Sequence, residues 1–252
     1  MEQVIASVQP EEKPMGGASK IFNIFFEPRK VFENLRIKPT WLLPFIIIAL
    51  LGIGFFYTTY PYIMNQQVER IRDNDKIPQE QKQTIIDKMT ENSHPPLWQL
   101  PLAPIGTILV FVILAAMLFF VFNVILGGDS SFRRVFSVYC YSNLIAIPSM
   151  IVKIPLIMLK KDIGVQTSLA LLLSAESKET FLYRVLSGFD IFTLWMVILI
   201  SIGMGVLYRY TTKKTFIVVF VLWVLLILIT SGLSSLFGGM FGSRLTLNIR
   251  ED

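Results

Sequence analysis

The residues from Val135 to Leu159, VFSVYCYSNLIAIPSMIVKIPLIML, are long enough to cross a bilayer, yet they carry more polar groups than any other such run in the chain. A hydrocarbon core of ~30 Å takes ~20 helical residues to span. Tyr139, Tyr141, Ser142, Asn143, Ser149 and Lys153 share this run with Pro148 and Pro155. Lipid offers such side chains no hydrogen bonds and cannot replace an amide bond lost at proline. The helix is therefore expected to face other helices and to form the packing centre of a membrane bundle.

Four further runs have spanning length: Trp41 to Met64, Ala103 to Leu126, Ile191 to Tyr208, and Phe216 to Phe237 with a small-residue extension to Gly242. None of the four contains Asp, Glu, Lys or Arg. Of the 252 residues 53% are hydrophobic and 16% charged, against roughly 25% charged in soluble domains. The expected fold is all-α, a polytopic membrane helical bundle with five transmembrane helices plus short amphipathic interfacial helices. Residues 1–18 read as a disordered tail, 19–38 as an amphipathic cytoplasmic segment, 39–242 as the five-helix domain, and 243–252 as a C-terminal tail. No signal peptide is recognisable before Trp41, and the first span is expected to stay.

Composition also narrows the chemistry. The net charge of +5 is carried at the edges of apolar spans, where orientation and lipid contact account for it, so nucleic acid is not an expected partner. Cys140 is the single cysteine and His94 the single histidine, which leaves neither an intrachain disulfide nor a metal site built on His or Cys. No phosphate loop, no nucleophile beside a base and no paired carboxylates occur within a span, so neither an enzyme nor a cofactor is expected.

In the 19–38 segment, Ile21, Phe22, Phe25, Val31, Phe32 and Leu35 form apolar faces on two short helices that divide at Glu27-Pro28, with Pro28 suited to a first helical position. Lys20, Arg29, Lys30, Arg36 and Lys38 interleave with them. The segment lies either on an anionic leaflet or against the bundle's own cytoplasmic end. Phe25, Pro28, Arg29, Lys30, Phe32 and Arg36 form the candidate cytoplasmic interface.

Beyond the first span, Pro78 opens a short helix with Ile85, Ile86 and Met89 on one face. VQTSLALLL, in the 160–189 loop, is too short to cross and is expected to dip into the interface, followed by an amphipathic helix through Phe181, Leu182, Val185 and Leu186. Trp41, Trp98, Trp195, Tyr60 and Tyr62 are expected as headgroup anchors. Gly127-Gly128 makes a turn.

Five spans put the two ends of the bundle domain on opposite sides. Lys and Arg outside the spans total eleven on each side, so density decides: those on the side of the N-terminal segment sit in short stretches. That side is assigned to the cytoplasm, and the C-terminus lies outside.

Lys153 is the one charge well inside a span. It either pairs structurally, snorkels to the outer interface, or serves function. Asp190, which opens span four on the same side, is its candidate partner. Ser201, Gly203 and Gly205, with Gly238 and Gly242, have the spacing of tight helix crossings, serving either packing within one chain or dimerisation.

Taken together, Phe25, Pro28, Arg29 and Phe32, then Pro39, Trp41 and Pro44, then Arg133, Phe136, Tyr141, Ser142 and Pro148, then Asp190, Phe192, Trp195 and Gly203 resemble the Yip1 family of five-span membrane proteins over roughly residues 20–240. The resemblance implies a cytoplasmic N-terminus and, for eukaryotic members, early secretory trafficking with Rab GTPases. The Asp-Leu-Tyr-Gly-Pro type motif of those members is missing here, so a Rab partner is not expected. The short form resembles the bacterial branch, which implies a plasma-membrane location.

Two functions follow. The first is a non-enzymatic scaffold or accessory subunit that binds lipids, other membrane proteins or itself, or organises the membrane. The second is a small oligomeric transporter or channel subunit with a polar path along span three. A transporter requires a water-accessible cavity at Tyr139, Asn143 and Lys153; a scaffold requires them packed.

Overall fold

A computed structural model describes residues 15–75, 77–90, 94–164, 167–173 and 180–244, with Trp98 and residues 235–244 described by backbone alone. Among the described residues five helical segments are long and apolar enough to cross a membrane: 42–72, 102–125, 132–160, 191–208 and 212–234. No strand forms among the described residues; one antiparallel bridge joins Ser168 to Asp190. For orientation, the proximal end of the bundle is the one where the first span begins, and the distal end carries the loops around residues 73–101 and 160–190.

Ahead of the first span stand α1 (Gly17–Phe26) and α2 (Pro28–Ile37). Pro28 occupies the first turn of α2, where a missing N–H costs nothing. On α2 the apolar residues Val31, Phe32 and Leu35 are fully buried against α9 (Ile191–Tyr208) and α6 (Phe132–Ser142). α1 is inverted relative to a soluble amphipathic helix. It buries Lys20, 3% exposed, beside Ile24 and turns Phe22 and Phe26 outward at 66% and 70%. Such an outer face suits hydrocarbon rather than water.

The first span belongs to α3 (Leu42–Arg72), which runs beyond the apolar stretch. α4 (Gln79–Thr90) folds back on that extension: Lys82 Nζ donates to the Arg72 carbonyl at 2.7 Å, and Ile86 is buried while Ile85 stays exposed. A cation at a helix C-terminus satisfies an orphan carbonyl and favours the helix dipole. Tyr60 is buried against Phe56, so it packs within the protein and is not a headgroup anchor.

α5 (Leu102–Phe120) ends in a π-helical turn, Val121–Ile125. The Gly127-Gly128 turn then reverses the chain. Gly127 has φ +66°, and a Cβ on Gly128 would stand 2.4 Å from Tyr208 Cδ1 and 2.7 Å from the Phe122 carbonyl oxygen. Both positions therefore require glycine.

The third span is two helices, α6 and α7 (Ala146–Lys160), joined by a 3-10 turn at Asn143–Ile145. Every residue from Val135 to Ser142 is buried. In α7 only Ile157 is, while Ile151, Val152, Met158 and Leu159 face outward. The expectation that the whole span faces other helices is thus corrected for its distal half, where the side chains are mostly apolar and lipid can cover them. The packing centre is shared with α9, where Val197, Leu199, Ile200, Met204 and Leu207 are buried.

After the 3-10 turn Leu169–Leu172 comes α8 (Phe181–Ser187), and after α9 comes α10 (Thr212–Arg244). Val219, Trp223 and Ile227, four residues apart, form the buried stripe of α10, and its other apolar faces are exposed.

Candidate functional site

At the distal end, Asp190 terminates one loop and starts α9. Its Oδ1 accepts from the backbone N–H groups of Phe192 (2.9 Å) and Thr193 (3.4 Å), an N-cap in the β-region conformation such caps adopt. The other oxygen, Oδ2, accepts from the Thr167 hydroxyl and lies 3.2 Å from Lys153 Nζ. Lys153 also stands 5.9 Å from the centroid of the Phe192 ring. The cluster joins α7, the 160–190 loop and α9. Asp190 is nearly enclosed and Lys153 partly open, at 8% and 30% side-chain exposure, which fits a buried anion satisfied by four donors. Thr167 carries no signal in the sequence, being one loop threonine among many.

The polar face of the proximal half of span three lines no large cavity among the described residues. Tyr139 packs edge-on to Phe111, with centroids 5.1 Å apart, and borders a small apolar cavity of about 120 Å³ with Leu114, Trp223 and Ile200. Asn143 Nδ2 donates to the Tyr139 carbonyl at 2.8 Å. Tyr141, fully buried, places its hydroxyl 3.4 Å from Thr40 Oγ1. The buried Ser142 hydroxyl has no hydrogen-bond partner among the described residues.

The six residues of the candidate interface do not form one surface. Phe32 is fully buried and Phe25 packs edge-on against Trp195, with centroids 6.2 Å apart. Phe32 therefore belongs to the core and not to a contact surface, because α2 is seated between α9 and α6. Pro28 and Arg36 are half-buried, while Arg29 and Lys30 are open. The exposed face carries both signs: Arg29 pairs with Glu33 at 3.1 Å and Lys30 with Glu27 at 2.8 Å.

Ser201, Gly203 and Gly205 lie at crossings within the chain. A Cβ on Gly203 would come 2.4 Å from Val138 Cγ1 and 3.2 Å from Phe32; one on Gly205 would meet the Tyr210 carbonyl oxygen at 3.2 Å. The Ser201 carbonyl accepts from Thr215 Oγ1 at 2.8 Å, tying α9 to α10. Gly238 and Gly242 fall on α10 where only the backbone is described, so their surroundings lie outside the described residues.

A second polar cluster closes the proximal end. The Tyr208 hydroxyl donates to Asn123 Oδ1, Asn123 Nδ2 donates to the Ser130 carbonyl at 2.9 Å, and the Tyr210 hydroxyl donates to the Leu126 carbonyl at 2.9 Å. These bonds bind the two proximal turns to each other. Asn123, a lone amide near the end of an apolar span, was the available signal for it. Among the described residues no group of His, Cys, Asp and Glu is arranged to hold a metal.

Fold and site together define a polytopic α-helical membrane protein. Residues 22–233 match the Yip1 domain, from α1 through most of α10, and the chain belongs to this family. No curated protein and no solved structure matches it.

Proposed function

We propose that the protein is a non-enzymatic integral membrane scaffold or accessory subunit that engages another membrane protein through the exposed face of α2. The observation that carries this reading is the packing of span three: Tyr139 and Asn143 are held against neighbouring side chains and backbone, and Lys153 is neutralised by Asp190. That arrangement favours a closed interior over a solute path. The mixed charge of Glu27, Arg29, Lys30 and Glu33 favours a protein surface of complementary pattern over a uniformly anionic one, because surface charges confer selectivity more than affinity. The proximal end faces the cytoplasm, which the density of Lys and Arg supports, and the resemblance to short bacterial family members supports a bacterial plasma membrane as the location.

The test is gentle solubilisation of the tagged protein from its native membrane and mass spectrometry of what accompanies it, in parallel with a R29Q/K30Q/R36Q variant. A stoichiometric membrane protein lost in the variant is expected. Recovery of the chain alone, or of the same proteins with both forms, overturns the assignment of that face.

A further inference from the structure

Beside the first turn of α3, Thr40, Trp41, Leu42, Leu43, Ile46 and Arg133 line an open groove of about 500 Å³ at the proximal end. Its floor is apolar: Leu42, Leu43 and Ile46 all face outward, along the path an acyl chain would take beside a spanning helix. Its mouth is basic and hydroxylated. Arg133 is exposed and has no carboxylate within ion-pair distance among the described residues, unlike Arg29, Lys30 and Lys153.

Directly behind the mouth lies Lys20. It is 3% exposed, its Nζ donates to Thr40 Oγ1 at 3.4 Å, and it too has no carboxylate partner among the described residues. Burying an ammonium without a counter-charge is costly. Burial first, and then the charge of Lys38, hold the amine below its usual range. An anion resting on Thr40 and Arg133 would supply the missing charge to both cations. The groove thus combines an apolar channel, a free guanidinium and an uncompensated buried cation within one hydrogen bond of its lining.

We propose that this groove binds one phospholipid with a net negative headgroup, its phosphate on Arg133 and the Thr40 hydroxyl in the field of Lys20, and an acyl chain along Leu42, Leu43 and Ile46. Trp41 sits at the junction of headgroup and chain, where indole rings are favoured. A guanidinium suits the phosphate because its N–H groups match two oxygens at once. The site is independent of the α2 face assigned above to a protein partner.

Trp41 also provides the readout. The full-length chain with W98F, W195F and W223F keeps it as the sole indole. In bilayers it is titrated with chain-brominated phosphatidylglycerol or chain-brominated phosphatidylcholine, which quench on contact. A preference of about five-fold for phosphatidylglycerol is expected, corresponding to roughly 1 kcal/mol for one basic side chain at a membrane surface. R133Q, on the exposed rim, is expected to bring the preference close to unity with an unchanged elution profile, and K20M to lower it. R29Q/K30Q is expected to leave it in place. Equal quenching by the two lipids, a preference indifferent to R133Q, or one lost equally in R29Q/K30Q overturns the proposal. Loss of the preference on adding inorganic phosphate at constant ionic strength assigns the groove to a small anion and overturns it as well.

Discussion

Lys153 Nζ stands 3.2 Å from Asp190 Oδ2, and the same carboxylate caps α9 through its other oxygen. The two partners are therefore unequal. D190A is expected to lose the cap and to strand the Lys153 ammonium, lowering stability by about 2–4 kcal/mol. K153M leaves Asp190 with Thr167 and two backbone donors and is expected to cost about 1 kcal/mol, the more so because part of Lys153 is open. Thermal unfolding of the two variants in one detergent measures the difference, and equal losses contradict this division of roles.

Gly203 and Gly52 have opposite surroundings. A Cβ on Gly203 meets Val138 at 2.4 Å, whereas one on Gly52 has nothing within 4 Å. G203A is expected to destabilise by about 1–3 kcal/mol through overpacking, and V138A in the same chain to recover part of the loss. G52A is expected to be neutral or slightly stabilising, since alanine is the better helix former by about 1 kcal/mol. Unfolding midpoints of the three variants provide the check.

The Tyr208 hydroxyl is one of two hydroxyl links between the proximal turns, acting through Asn123 beside the Tyr210–Leu126 bond. Y208F keeps the ring on Phe122, with centroids 5.2 Å apart, and removes only the donor. It is expected to cost about 1 kcal/mol, the usual net worth of one hydrogen bond, because the Asn123 acceptor is only half-buried. Hydrogen exchange should rise at Gly128 and Tyr210, whose amides close these turns; unchanged exchange there assigns the lock to packing alone.

Lys20 gives a pH dependence of known sign. Its folded-state pKa is depressed, through desolvation and then Lys38, below the ordinary 10.5. Below the folded value both states are protonated and the burial cost is present in full. As pH rises from there toward the unfolded value, the unfolded chain holds the extra proton, so this residue's contribution makes stability increase with pH. In a neutral detergent free of anionic lipid, the stability difference between K20M and the parent is expected to narrow across that alkaline window. A difference that stays constant or widens contradicts the sign.

The five spans are legible because burial in lipid demands long uncharged runs, and hydropathy reports that demand directly. Lys153 and Asp190 stand out individually for the same reason, as charges at or inside such runs. Their shared partner Thr167 does not, because a hydroxyl in a loop has no periodicity to betray it. The inversion of α1 was illegible for a deeper reason: amphipathic spacing separates Lys20 and Ile24 from Phe22 and Phe26 but does not say which face meets protein when the surroundings are hydrocarbon. The 3-10 turn at Asn143–Ile145 was hidden similarly, since Pro148 falls in the first turn of α7, where proline is tolerated, and leaves no mark of a broken helix.

Cys140 allows the central claim, a closed interior at span three, to be tested on a native thiol. It is the only cysteine of the chain, it is fully buried, and it sits one residue from Tyr139 in the buried proximal half of span three. Native membranes containing the protein are treated with a charged, membrane-impermeant thiol reagent added from both sides, and labelling is compared with that after denaturation. The packed interior predicts labelling only after denaturation. Modification of Cys140 in the intact membrane, at a rate comparable to an engineered cysteine at exposed Arg29, would contradict it and place water along span three.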